Sequence, residues 1–268
     1  MSGNDESASK AAPSLGIKTD KTRSTTDDFF ARHERFFETS DVGTNLPDGG
    51  RSPRLAQRYK GIIGRNRSLF LNARVLDIAS HDGRWTMAAL DAGARHVIGV
   101  EGRAHLVEYA NRSLIHYGVA ADRYTFVNAD IFNMLPSFEP GQFNLIMCLG
   151  FFYHSVRHYE IFQQFHRLEA RHVILDTAVV KGAGAIVRFK IEGHDRNSAT
   201  LQTTEGIAQS IVGHPNHEMI ALLCRHFGFR KHLVDWRSLD ITDWTGVEDY
   251  EGDSRRTYVL ERLNARPR

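Results

Sequence analysis

The stretch Val75-Leu76-Asp77-Ile78-Ala79-Ser80-His81-Asp82-Gly83 decides how the rest of the chain is read. A short apolar run around one acid ends on small and turn-forming residues and passes at once into a helical stretch, Trp85–Leu90. Small residues at such a turn let the backbone bend sharply and approach a ligand, and ligands of open α/β sheets bind at the carboxyl ends of the strands. The same alternation repeats outward from this point. His96–Val100, Tyr124–Asn128, Phe143–Cys148 and His172–Asp176 read as strands, separated by the helical stretches Ala104–Tyr117 and His158–Leu168. Strands of this length alternating with helices predict right-handed βαβ units and a parallel sheet. A helix over 216–227 and two strand-like runs, Lys231–Trp236 and Thr257–Arg262, close the chain. The expected fold is a doubly wound, mostly parallel, seven-stranded α/β sheet with an antiparallel C-terminal hairpin, carried by residues 71–268.

Upstream the pattern differs. Residues 1–26 hold hardly any large apolar side chains and are expected to form a disordered tail, because they cannot bury enough surface to offset their ordering entropy. Residues 27–70 read as an N-terminal helical extension. Asp27 and Asp28 are candidate caps for a helix bearing Phe29, Phe30, His33, Phe36 and Phe37, and a loop over 43–53 precedes a second amphipathic helix marked by Leu55, Tyr59, Ile62, Ile63 and Phe70.

At 268 residues the chain has room for one large domain or two small ones. Its 34 basic and 32 acidic side chains leave a formal charge of +2, without the basic excess usual in proteins that live on duplex phosphates. The two cysteines, Cys148 and Cys224, sit in apolar runs and read as reduced, buried thiols. No uncharged apolar run approaches the ~18 residues of a membrane span, and the start of the chain has no apolar signal core. A cytoplasmic enzyme is the expectation.

Three acids stand at or beside strand ends. Glu101, closing the second strand, is placed to accept hydrogen bonds from both hydroxyls of a ribose, and Asp130, after the third, from an adenine amino group. The fourth strand runs into Leu149-Gly150-Phe151-Phe152-Tyr153-His154. With these residues in view, 71–180 resembles the class I S-adenosylmethionine-dependent methyltransferases. That family's first motif ends Gly-x-Gly-x-Gly; here Ala79 stands at the first glycine and His81 at the second. A dehydrogenase, the competing family on this fold, would place G-x-G-x-x-G directly after the strand, and the loop lacks it. Locally, GFFYH is similar to the GVLYH of tRNA wobble-uridine carboxymethyltransferases, and the segment 213–229 is similar to a helix of those enzymes and of small-molecule methyltransferases.

The resemblance implies S-adenosylmethionine as cofactor, surrounded by Asp77, Ala79, His81, Gly83, Glu101, Asp130, Ile131 and Leu149. It puts Tyr153 and His154 beside the reactive methyl, where aromatic faces stabilise a sulfonium by cation–π attraction and a neutral imidazole can serve as general base. Phe152, His194, His214 and Asn216 are candidate substrate contacts; Trp85 reads more as core than as site. The segment 179–215 is longer than a simple connection needs and reads as a binding loop or lid, with Arg188, Lys190, Glu192, His194, Asp195 and Arg196 suited to a hydrophilic substrate. The histidine pairs His154/His158 and His214/His217 lack a third ligand at a recognisable spacing, and although Asp176 could join a magnesium site, no metal is expected.

Three functions remain in play: methylation of an oxygen, less readily a nitrogen, of a polar small molecule; RNA methylation or carboxymethylation, which needs a basic stripe that 10–23 and 51–67 only partly supply; and a catalytically silent cofactor-fold protein. The expected partner is a small-molecule acceptor, with no membrane; nucleic acid is not favoured, and self-association as a homodimer is left open.

Overall fold

Strand β1, Arg74–Ile78, is an interior strand of the sheet, and its alternate side chains enter two different cores. Val75 points to one cluster, Leu76 and Ile78 to the other, as the two-residue period of a strand requires. Both faces are covered, which is why the strands read as nearly continuous apolar runs. In the computed structural model, residues 29–38, 51–194, 200–201 and 207–263 are described. The remaining strands are β2 (His96–Glu101), β3 (Tyr124–Asn128), β4 (Leu145–Leu149), β5 (His172–Ala178), β6 (Val187–Gly193), β7 (Gln209–Pro215), β8 (Phe229–Leu233) and β9 (Arg255–Arg262). The helices are α1 (Arg35–Glu38), α2 (Arg51–Ile62), α3 (Arg84–Asp91), α4 (Ala104–His116), α5 (Ile131–Met134), α6 (His158–Arg167), α7 (His217–His226) and α8 (Glu248–Glu251).

Seven strands form one sheet in the order β3-β2-β1-β4-β5-β9-β8. β1 pairs in parallel with both β2 and β4, with Asp77 opposite Gly99 on one side and Met147 on the other. β9 runs antiparallel to β5 and to β8, so the expected doubly wound sheet with its terminal hairpin is what the chain builds. Strand order reverses between β1 and β4, and the crevice above such a switch point is where ligands of this architecture bind. Both cysteines are buried and free, as read. No described helix is long and apolar enough to cross a membrane.

One expectation needs correction. The phenylalanine-rich segment is not a long helix: residues 29–34 are turns and only α1 is helical. Phe29, Phe30 and Phe36 are nonetheless buried, with Phe29 stacked 4.7 Å from Tyr59 of α2 and Phe30 edge-on to Trp85 at 5.6 Å. This extension is therefore part of the core on one sheet face, and the aromatic spacing reflects burial rather than helical periodicity. The insertion after β5, read as a binding loop or lid, also carries regular structure. β6 and β7 form a separate two-stranded antiparallel ladder, Val187 opposite Pro215 through Gly193 opposite Gln209. The proposed caps Asp27 and Asp28, the 1–26 tail, and Asp195 and Arg196 lie outside the described residues.

Candidate active site

A cavity of about 430 Å³ opens at the carboxyl ends of β1 to β4, within the size range of small-molecule and cofactor pockets. Ala79 and His81 line it after β1, Glu101 after β2, Asp130 and Ile131 after β3, and Leu149, Gly150, Phe151, Tyr153 and His154 after β4. The loop after β1 shows why glycines are expected there. Ala79 and His81 both have φ of +54°, and Gly83 has φ of +80°, so the three positions alternate into the left-handed region. This chain keeps the glycine geometry with two non-glycine residues, at a cost of about 1–3 kcal/mol each.

The loop geometry has an electrostatic consequence. The backbone N–H of His81 donates to Glu101 Oε2 at 3.0 Å, while Glu101 Oε1 accepts from Arg103 N at 3.0 Å and Arg103 Nε at 2.8 Å. The carboxylate, only 3% exposed, is thus oriented by three donors at the cavity wall. Asp130 caps α5 through Phe132 N at 2.7 Å and also lines the cavity. Ile131, Phe132, Leu149 and Phe151 give the same region apolar walls, and Leu201 packs over Gly102.

On the opposite side, His154 Nδ1 meets Glu192 Oε2 at 2.7 Å. Glu192 belongs to β6, so the inserted hairpin supplies the partner of the cavity histidine. With Nδ1–H donating to that carboxylate, Nε2 carries the free lone pair, the arrangement that fixes tautomer and ring orientation in a general base. Arg255 lies over the Tyr153 ring at 5.4 Å.

Several candidate residues lie elsewhere. Asp77 does not line the cavity: it is buried under the loop and accepts from Thr86 Oγ1 at 2.8 Å. Burial pushes its carboxyl up to about 7, against the opposing hydrogen bond from Thr86. Gly83 caps α3 in the left-handed conformation, and a Cβ there would sit 2.7 Å from Phe126 Cζ. Phe152 is fully buried against His158 and Phe162, at 4.5 and 5.7 Å. The tight 3-10 turn Phe152–His154 sends its first side chain inward. Asn216 is buried as the N-cap of α7: its Oδ1 accepts from Met219 N and Ile186 N, and its Nδ2 donates to Gly182 O and Gly184 O. His194 pairs with Ser210 Oγ at 2.7 Å, and His214 packs against Tyr153 at 5.2 Å, behind the cavity wall. Burial, with Lys190 and His154 nearby, lowers His214 to about 4. Asp176 is unavailable to a metal in this arrangement, because Arg58, Arg255, Tyr250 and Thr257 occupy both of its oxygens.

Residues that strand-end reasoning does not reach complete the wall. Arg54 and Arg58 come from α2 and Arg255 from β9; Arg84 follows the turn, held by Asp82 at 2.7 Å. Burial alone would raise Asp82, but Arg84 overrides it and holds the carboxyl far below the usual range. Trp85 is both core and wall.

The doubly wound sheet, the glycine-like loop and the strand-end acids define a nucleotide-cofactor-binding α/β enzyme of the methyltransferase kind. Residues 75–171 match the family model of a methyltransferase domain. Among solved structures, the N-terminal domain of EvdMO1, determined in the presence of SAH and D-fucose, is 16% identical, with 90% of this chain and all of that one covered at a TM-score of 0.59. Magnesium protoporphyrin IX methyltransferase from Synechocystis is 15% identical over 88% of this chain and 98% of its own, at 0.53. A methyltransferase from Mesorhizobium loti is 14% identical over 77% and 98%, at 0.54. These likenesses show the fold. No curated protein sequence matches the chain.

Proposed function

We propose that the protein binds S-adenosylmethionine in this cavity and methylates an oxygen of a polar small molecule, with His154 as general base. The observation that carries the reading is the His154–Glu192 pair at 2.7 Å, on a histidine that lines the same cavity as Glu101 and Asp130. When bound, the cofactor supplies an electrophilic methyl group on a positively charged sulfur. Glu101 accepts from the ribose hydroxyls and Asp130 from the adenine amino group, while Tyr153 and Phe151 present ring faces to the positive charge. His154 Nε2 takes the proton of the attacking hydroxyl, and Glu192 steadies the resulting imidazolium. Holding the acceptor close and aligned supplies the larger part of the acceleration.

A small-molecule acceptor is favoured over RNA by the fate of the basic run in α2. Arg54 and Arg58 face the cavity and pair with Asp249 and Asp176, so they do not add to an outer stripe. The test is incubation of the purified protein with methyl-labelled S-adenosylmethionine and fractionated cell extract. Label in a small-molecule fraction supports the reading; label only in RNA, or no transfer with intact cofactor binding, overturns it.

A further inference from the structure

Arg58 and Arg255 reach the cavity from opposite ends of the chain and converge on one acid. Arg58 Nη2 lies 3.0 Å, and Arg255 Nε and Nη2 each 2.7 Å, from Asp176 Oδ1. Tyr250 Oη and Thr257 Oγ1 donate to Asp176 Oδ2 at 2.8 and 2.7 Å, so that carboxylate is saturated. The two guanidiniums hold the Asp176 carboxyl at about 2 despite its burial, so it stays ionised near neutrality. Arg54 is matched separately by Asp249, with two hydrogen bonds at 2.8 and 2.9 Å. Two cations share one anion, and the group carries one positive charge in excess.

That excess sits where charge is costly. Asp176 is fully buried, and the Arg58 and Arg255 side chains are 12% and 7% exposed. A buried charge without a counter-ion is strongly disfavoured unless something neutralises it. Arg58 stacks on Trp85 at 5.1 Å and spends its Nε on Tyr250 Oη, while its Nη1 donates to no protein acceptor among the described residues. Gly150, whose backbone opens to the cavity, leaves room for Arg255: a Cβ at that position would lie 3.2 Å from Arg255 Nη2. The excess charge therefore borders the segment Gly150–His154, beside the proposed base.

We propose that Arg58 and Arg255 form a carboxylate-binding subsite, which neutralises the unpaired charge of the Arg58–Asp176–Arg255 cluster when the cavity fills. A planar carboxylate matches the fork of a guanidinium and takes two charge-assisted hydrogen bonds from it. The carboxylate comes either from the amino-acid end of the cofactor or from the acceptor. In both cases the identity of the ligand rests on the methyltransferase reading above.

The experiment is calorimetric titration of wild type, Arg58→Gln and Arg58→Lys, each first checked for a wild-type unfolding transition. Three probes are used: S-adenosylhomocysteine, its decarboxylated analogue, and benzoate added with and without saturating S-adenosylhomocysteine. If the cofactor supplies the group, Arg58→Gln weakens S-adenosylhomocysteine by about 10–100-fold, leaves the decarboxylated analogue within about twofold, and Arg58→Lys recovers part of the loss. If the acceptor supplies it, S-adenosylhomocysteine is unaffected, while benzoate binds wild type and is lost in Arg58→Gln. Equal binding of every probe by wild type and Arg58→Gln overturns the subsite and leaves the enzyme reading intact. Failure of wild type to bind S-adenosylhomocysteine overturns the enzyme reading instead, and the benzoate titration without it still decides whether the subsite exists.

Discussion

Asp77 gives the sharpest quantitative prediction, because its burial sets the size of a pH effect. Its carboxyl moves from 3.8 to about 7, chiefly through burial, with Glu101 and Asp82 adding to the rise and the Thr86 hydrogen bond opposing it. A raised pKa means that the folded state holds the proton more tightly than the unfolded state. The stability this provides is complete below about pH 3.8 and is lost as the pH rises through about 7. Between pH 5 and pH 8, with 1.36 kcal/mol per unit, the loss comes to about 2.5 kcal/mol. In Asp77→Asn the site no longer titrates, and the amide oxygen still accepts from Thr86 Oγ1. The variant's stability relative to wild type should therefore improve by about 2.5 kcal/mol from pH 5 to pH 8, whatever fixed cost the buried amide N–H adds. Urea unfolding of both proteins at the two pH values measures this directly. A difference between the two proteins that stays constant with pH, or moves the other way, refutes the argument that Asp77 is a desolvated, half-protonated acid.

The other predictions concern the cavity and its loop. Glu101→Ala should weaken S-adenosylhomocysteine by about 1.5–3 kcal/mol by calorimetry, the scale of hydrogen bonds to a charged group, and an unchanged affinity would remove Glu101 from the ribose site. His154→Ala should keep cofactor affinity within about twofold and lower turnover at least ~10-fold. Glu192→Gln should lower turnover less than His154→Ala, because the amide oxygen can still accept from Nδ1–H and hold the ring; unchanged turnover in both variants would make the pair structural. Gly83→Ala should destabilise the fold by roughly 2 kcal/mol or more, because it combines a strained backbone with a clash against Phe126, and a wild-type melting temperature would contradict the loop geometry.

How far the sequence reaches is seen residue by residue. Glu101 and Asp130 were legible because a strand's end fixes which edge of the sheet a following side chain occupies, and that edge needs no distant information. Asp77 was not placed correctly, since period-two alternation says which face it occupies but not whether a loop roofs it over. Phe152, a candidate substrate contact in the sequence, is buried, and was misplaced for a similar reason: the spacing does not tell which residue of a 3-10 turn points inward. Two signals were available and went unread. Asn216 stands directly before a helix, the position where asparagine caps best. Val187-Arg188-Phe189-Lys190-Ile191-Glu192 alternates strictly, the mark of a strand with two unlike faces. Its polar face brings Glu192 to His154, while Phe189, Ile191 and Ile211 lie 63%, 70% and 63% exposed on the other face. The polar set Arg188, Lys190 and Glu192 therefore occupies only one of those faces. Arg58 and Arg255 were out of reach altogether, because nothing local in either segment points to Asp176.

The pairing of Arg54 with Asp249, 195 positions apart, and of Arg58 with Asp176 and Tyr250, also constrains how the protein comes into being. The first five strands and their helices contain the strand-end acids, yet one wall of the cavity is delivered by β9, the last strand of the sheet. During vectorial synthesis, Arg58 emerges early and waits for Tyr250 and Arg255 before its environment is complete. Contacts this distant in sequence close late and slowly. The Arg255 side of the cavity is therefore in place only once β9 has joined the sheet.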